Sequence, residues 1–579
     1  MKTMKHKSIL AAAACCCALV ASAAERTWDG GGADDLMSTR ENWSGDTTPG
    51  SSDTAIVHAN AAKPAIVPAG ETQYSILVIG GHGSTVQTHD EGFIIQTNGT
   101  LTVSGNDGLR IGRLDNCPGT YIISNGTLKA TTGSAFVGIH GTTGKLVIAG
   151  DGEVTAVNLR LASKGPDASS SKTYGYLEIS ENGKLNVSTT FNMGNESGGA
   201  GYYAQADQSG GTVYANTLNV GGSSEAKYIQ TGGTNAVKIA QIGIGAKGEY
   251  ELSGGLFSVT NTLNIGHNRT GSLTLSGTGE LETVGALCVG MNGVGTLTIT
   301  GGKVNAKGET RVGAAKAGTV EMSGGEVVFN KHFKIGTASN TATNFFNQTG
   351  GSVKMASDNG NNTLPYFGFT ASNTGRYNIS GGTFETTNTG IMIGNDGTGI
   401  LDISGSGVVT IRGNVNLGFN SNGKGTLILR DGGTLIANHV KKYQGTAVLV
   451  EFDGGTLQAR KADTILKDLA NIQLKAGGLT LATETYNQTV TNCTFNVTDG
   501  GSITVTGSGK VTFSGCTLKF NNRPSGAKYV FAEVADGSNA TLEGLPTLAG
   551  DVCSGWRLKL SEDKKKILAV PPGLIIIFR

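Results

Sequence analysis

The sequence predicts an all-β fold: a right-handed parallel β-helix, built as a three-sided β-solenoid with coils of about 22–24 residues. Three observations carry that expectation. Glycine supplies 91 of 579 residues while charged residues reach only 15%. A glycine-pair landmark recurs at a nearly constant interval. The runs between landmarks alternate apolar with polar residues. At 38% hydrophobic the chain differs from disordered sequences, which combine high charge with low hydrophobicity. Its glycines do not fall at every third position, which excludes a collagen helix.

The first element, residues 1–24, reads as a signal peptide. Lys2, Lys5 and Lys7 precede an apolar run from Ile9 to Val20, and Ala21-Ser22-Ala23 or Ser22-Ala23-Ala24 offers a small-residue cleavage site. The expected location is therefore outside the cytoplasm, at the cell surface or secreted, with the periplasm as another destination. No later segment holds enough consecutive apolar residues to span a bilayer as a helix, so no membrane span is expected in the mature chain.

Residues 25–70 form an N-terminal segment with two tryptophans, expected to cap the fold. Residues 71–433 hold the regular repeats. The landmark appears as Ser209-Gly210-Gly211, Thr231-Gly232-Gly233, Ser253-Gly254-Gly255, Gly277-Thr278-Gly279, Thr300-Gly301-Gly302 and Ser323-Gly324-Gly325. The last glycine of each falls at position 211, 233, 255, 279, 302 and 325 in turn, an interval of one coil. A second landmark, apolar-x-apolar-Gly, follows near the middle of the interval, as in Leu263-Asn264-Ile265-Gly266 and Leu287-Cys288-Val289-Gly290. A third run precedes the glycine pair, as in Gly295-Thr296-Leu297-Thr298-Ile299. Period-2 alternation in runs this short means a strand with one buried face. Three such strands per unit, joined at glycine corners that permit positive φ, make one coil. The interval stretches at two places, from Gly152 to Gly183 and from Gly351 to Gly382, with loops expected near 164–171 and 358–362. Coils at 434–520 diverge from the pattern, and 521–579 forms a C-terminal cap with an apolar tail, Leu574 to Phe578.

The start of the mature chain reads Thr27-Trp28-Asp29-Gly30-Gly31-Gly32, then Glu41-Asn42-Trp43-Ser44-Gly45-Asp46, then Pro49-Gly50-Ser51-Ser52-Asp53-Thr54. It resembles the opening of large secreted Gram-negative bacterial proteins with autotransporter-associated β-strand repeats, and the coils resemble autotransporter passenger domains. The resemblance implies a right-handed β-helix at the cell surface, in a family dominated by adhesins and surface scaffolds. The translocator barrel of a full autotransporter has no counterpart in this sequence.

Catalytic and metal-binding patterns are not found. No phosphate-binding loop, nucleophile elbow or zinc-ligand spacing occurs, so no cofactor or metal is expected. A net charge of +1 argues against nucleic-acid binding, which needs a basic footprint. What the repeat does offer is stripes. The central residue of the second landmark points outward once per coil. This column holds Arg110, Arg160, Asn192, Asn219, Gln241, Asn264, Arg311, Lys334, Tyr366 and Asn416, interspersed with Phe136, Cys288 and Met392. Cations, amides and aromatic rings can hold glycans or other cell-surface components, although the ordinary role of such a column is a solvated face. A second outward column carries Glu178, Glu251, Glu321 and Asp402. Glu251 and Glu321 fall three coils apart, about 14 Å at ~4.8 Å per coil, too far for a glycosidase pair. Five cysteines follow the signal sequence. Two of them, Cys493 and Cys516, lie one coil apart in matching contexts. They are expected to stack on neighbouring coils, as free thiols or as a disulfide. The function expected is an exported structural or adhesive solenoid that displays a surface for glycan or matrix contact. The alternative is a β-helical polysaccharide lyase or glycoside hydrolase.

Overall fold

The computed structural model describes residues 23–81, 91–114, 116–163, 172–194, 201–337, 341–356, 364–526 and 528–573. Residues 1–22 of the segment expected to be a signal peptide, the stretches 164–171 and 358–362 and the tail Leu574–Phe578 lie outside them. The chain is 56% strand and winds into a parallel β-solenoid of about 18 turns. At ~4.8 Å per turn the stack extends on the order of 85 Å.

One coil shows how the sequence makes the fold. Gly295–Ile299 forms the first face, Lys303–Ala306 the second and Thr310–Val312 the third. Each pairs in parallel register with the coils before and after. Gly271, Gly295 and Gly318 align on the first face. Glu280, Lys303 and Glu326 align on the second, and Cys288, Arg311 and Lys334 on the third. Burial alternates along each strand, so Leu297 and Ile299 point inward while Thr296 and Thr298 do not. Like residues stack on like, and the leucine, isoleucine and valine columns make one continuous core.

The glycine landmarks have two physical causes. Gly290, at the end of the third face, has a φ of 80° and a Cβ placed there would lie 2.5 Å from the Ala317 carbonyl oxygen. Both the dihedral and the space exclude a side chain. Gly295 needs no positive φ. Its missing Cβ would lie 2.2 Å from the Gly290 nitrogen, so close approach of two backbones fixes it.

A polar clamp recurs inside the core. On the first face Gln96, Gln208, Gln230 and Gln348 point inward, each three positions before a corner glycine. The tyrosine of the following coil donates to each: Tyr121 to Gln96 at 2.6 Å, Tyr228 to Gln208 at 2.7 Å, Tyr250 to Gln230 at 2.6 Å and Tyr377 to Gln348 at 2.6 Å. The glutamine Nε2 then donates to corner carbonyls, as Gln348 does to Gly351 and Thr383, both at 3.1 Å. Every polar atom of the pair that enters the core thereby finds a partner.

The ends are closed differently. At the N-terminus Trp28 and Trp43 meet edge-to-face with centroids 5.3 Å apart. Trp43 is fully buried and donates its indole N–H to the Met37 carbonyl at 2.8 Å. Asn42 ties the surrounding loop to Asp34 and Leu36 through its amide. At the C-terminus Tyr529–Val534 still pairs in parallel with Ile503–Thr506, but Lys566–Val570 runs antiparallel to it and to Arg557–Leu560. That reversal ends the coil-on-coil growth.

Candidate functional site

The third-face column is continuous. Backbone register joins Arg110, Phe136, Arg160, Asn192, Asn219, Gln241, Asn264 and Cys288 rung by rung. It continues through Arg311, Lys334, Tyr366, Met392 and Asn416. The side chains differ in access. Asn192, Asn264, Cys288, Met392 and Asn416 are each less than a tenth exposed. Within the middle section Asn219 donates to the Asn192 carbonyl oxygen at 2.5 Å, so amides there bond along the stack.

Toward the N-terminal end of the column, Arg110 donates to the Asp107 carbonyl at 3.0 Å, and the Arg160 guanidinium lies 5.7 Å from the Phe136 ring centroid. The other end gathers charge and aromatic surface. Glu309 bridges two rungs by pairing with Arg311 and, at 2.9 Å, with Lys334. Burial alone would raise the Glu309 carboxyl, but hydrogen bonds from Lys334 and Arg311 hold it below its ordinary value. The Lys334 ammonium also sits 4.3 Å from the Phe369 ring centroid, and Tyr366 packs edge-to-face on Phe369 at 5.2 Å. Further along, Phe419 and Tyr443 stack at 4.8 Å, and Tyr443 is 47% exposed. Sequence inspection picked out Lys334 and Tyr366 but not Phe369, Phe419 or Tyr443. The rings of Phe369 and Phe419 follow the landmark glycines Gly368 and Gly418 directly, and that offset is the signal that locates them.

The first-face acidic column brings Glu178 beside Asp207 on the next coil, with Ile229 and Glu251 following. Three rungs separate Glu251 from Glu321. Asp207 was not singled out from sequence, yet it stands two positions before Ser209-Gly210-Gly211, as Glu251 does before Ser253-Gly254-Gly255. Glu178 and Asp207 line a shallow pocket of about 300 Å3. Both carboxylates are engaged: Lys145 pairs with Glu178 at 2.7 Å, and Gln205 donates to both Asp207 oxygens at 2.9 Å.

Cys493 and Cys516 sit on adjacent coils, beside the paired Thr494 and Thr517. Both are buried free thiols. The hydrogen bond between them raises the Cys493 thiol, reinforced by burial, and lowers Cys516.

A surface depression lies elsewhere, at the corner between the second and third faces, with a volume of about 740 Å3. Among the described residues no group of three or more His, Cys, Asp or Glu side chains is placed to hold a metal ion, and no helix is long and apolar enough to cross a membrane. The fold defines the class as a parallel β-solenoid; its third-face column is in register but not outward throughout as expected, since Phe136, Asn192, Asn264, Cys288, Met392 and Asn416 are buried. Comparison with family models, with curated proteins and with solved structures returned no match.

Proposed function

We propose that this chain is an exported β-solenoid that acts as a structural or adhesive surface protein and contacts glycans or other cell-surface components, in the manner of an autotransporter passenger. The observation that carries the reading is the unbroken third-face ladder whose later rungs gather rings and a cation, with Lys334, Tyr366 and Phe369 partly buried and Tyr443 exposed. Tyrosine combines an apolar ring with a polar tip, which suits it to ligands with alternating apolar and hydroxyl surfaces. The signal-like N-terminus supports export. Cell fractionation with intact-mass analysis of the mature chain tests it, together with a glycan-array and cell-adhesion assay. The expected result is an extracytoplasmic protein, cleaved near Ala23 or Ala24, whose glycan or cell binding falls at least tenfold in Tyr366→Ala/Tyr443→Ala. A cytoplasmic, uncleaved chain with no ligand counts against it.

A second reading, polysaccharide hydrolysis, draws on Glu178 and Asp207. Neighbouring rungs are ~4.8 Å apart at the backbone, close to the ~5–5.5 Å carboxyl spacing of a retaining pair. Cleavage of a polysaccharide panel that is lost in Glu178→Gln would favour it over adhesion.

A further inference from the structure

We infer that the depression at the corner between the second and third faces is a binding groove for a neutral linear polysaccharide, held parallel to the solenoid axis. The inference rests on the glycan-contact reading above but uses a different face of the molecule.

The groove arises from strand continuity. In successive coils the segments Thr127–Ile139, Glu153–Ser163, Lys184–Met193, Thr212–Val220 and Thr234–Ile242 pass through the corner without a break. Register shifts occur there, as between Ala130 and Ser134 or Val187 and Thr190. The floor is therefore a column of small residues: Ala130, Ala156, Val187, Ala215 and Val237. The lining runs from Ala130 to Thr260, up to three residues per coil over six coils, about 24 Å at ~4.8 Å per coil. That is long and narrow, the shape of a chain rather than of a compact metabolite.

The chemistry selects the kind of chain. On either side of the corner the strands are paired between coils, and only residues at the bend such as Val157, Ser188 and Asn216 fall outside the register, so a peptide has no continuous free edge to join. Recognition falls to side chains, and these are amides and hydroxyls repeated along the axis: Asn186 on one wall, Ser188 and Asn216 on the other. Asn186 donates to Glu153 at 3.0 Å, which fixes its orientation. One aromatic ring, Tyr214, is 50% exposed at the lip and offers a stacking face for a sugar ring. Lys238 is the sole charged lining residue among those described, and no carboxylate joins it. One cation over such a length suits a neutral chain and not a polyanion. The volume falls within the range of ordinary ligand sites.

The experiment is affinity electrophoresis of the full chain in gels containing a soluble mixed-linkage glucan, a xylan, a mannan or a polyuronate. Variants are Tyr214→Ala and Ser188→Trp, both at exposed positions where the core is untouched, alongside Tyr366→Ala/Tyr443→Ala. Expected is retardation by at least one neutral polysaccharide, weakened tenfold or more by each groove variant, whether or not the third-face variant weakens it as well. Retardation abolished only by the third-face variant would overturn the groove and leave the adhesive reading standing. Retardation by none of the polysaccharides overturns the groove, and a blank glycan array would then bring down both. Stronger retardation by the polyuronate, lost in Lys238→Ala, would overturn the assignment of a neutral ligand.

Discussion

Tyr377 carries a hydroxyl into the middle of a mostly apolar core, and Gln348 is the reason it can. Tyr377→Phe would leave the Gln348 carbonyl oxygen buried with no donor, and an orphaned buried acceptor costs about 1–3 kcal/mol. The preceding coil shows the apolar alternative, for Met322 and Phe346 occupy the equivalent positions. We expect Gln348→Met/Tyr377→Phe to be more stable than Tyr377→Phe alone in chemical denaturation. Equal or additive losses would show that the clamp is not a unit. This pairing is legible in the sequence once the coils are aligned. Each inward glutamine stands three positions before a corner glycine, and only the coil that follows such a glutamine has tyrosine in the matching column. The glycine corners were legible for the same reason, because positive φ and close backbone contact leave one residue type at a fixed address.

Two contacts between neighbouring elements set the next predictions. The Glu309 bridge joins the third-face rungs of Arg311 and Lys334. Its carboxyl ionises more readily folded than unfolded, so its contribution is complete at neutral pH. That contribution is lost as pH falls through the depressed folded-state value, below the ordinary ~4.3 of glutamate. Melting curves between pH 7 and pH 3 should therefore separate wild type from Glu309→Gln at pH 7 and bring them together at the acid end. A constant gap would assign the effect to packing. The second contact is Cys493 with Cys516. If the chain is exported as proposed, thiol–disulfide exchange during folding should join them, closing a loop one coil long and adding about 3 kcal/mol. A non-reduced digest should then contain the Cys493–Cys516 cross-linked peptide; free thiols at both positions in the exported protein would refute the bond. Elements of this kind were partly readable. Residues in one column could be aligned by counting from a landmark, which placed Arg311, Lys334 and both cysteines. The groove could not be found that way. It depends on how strands bend and slip at a corner, where the spacing from Ala130 to Ser134 differs from that between Ala156 and Asn158, and no landmark marks the difference.

At the scale of the whole molecule, stability in a solenoid is close to a sum over coils and the interfaces between them, because each coil touches only its neighbours. Gly271 and Gly295 occupy equivalent positions on successive coils, so removing residues 272–295 excises one full repeat and lets Gly271 run on into Thr296. The strands from Thr296 onward would then stack directly on the coil that precedes Gly271. The new neighbours are compatible in each column: Phe257 would meet Val304, Val259 would meet Ala306 and Ile265 would meet Val312, all of them buried. Such a deletion should yield a folded protein shorter by ~4.8 Å, with the same strand signature in circular dichroism and a correspondingly smaller maximum dimension in X-ray scattering. Removing half that length should not, because a one-residue change of register already turns a strand's apolar side outward. The contrast separates a stacked repeat from a globular core of the same composition. In a globular core, both deletions would remove contacts that distant parts of the chain need, and neither variant would fold.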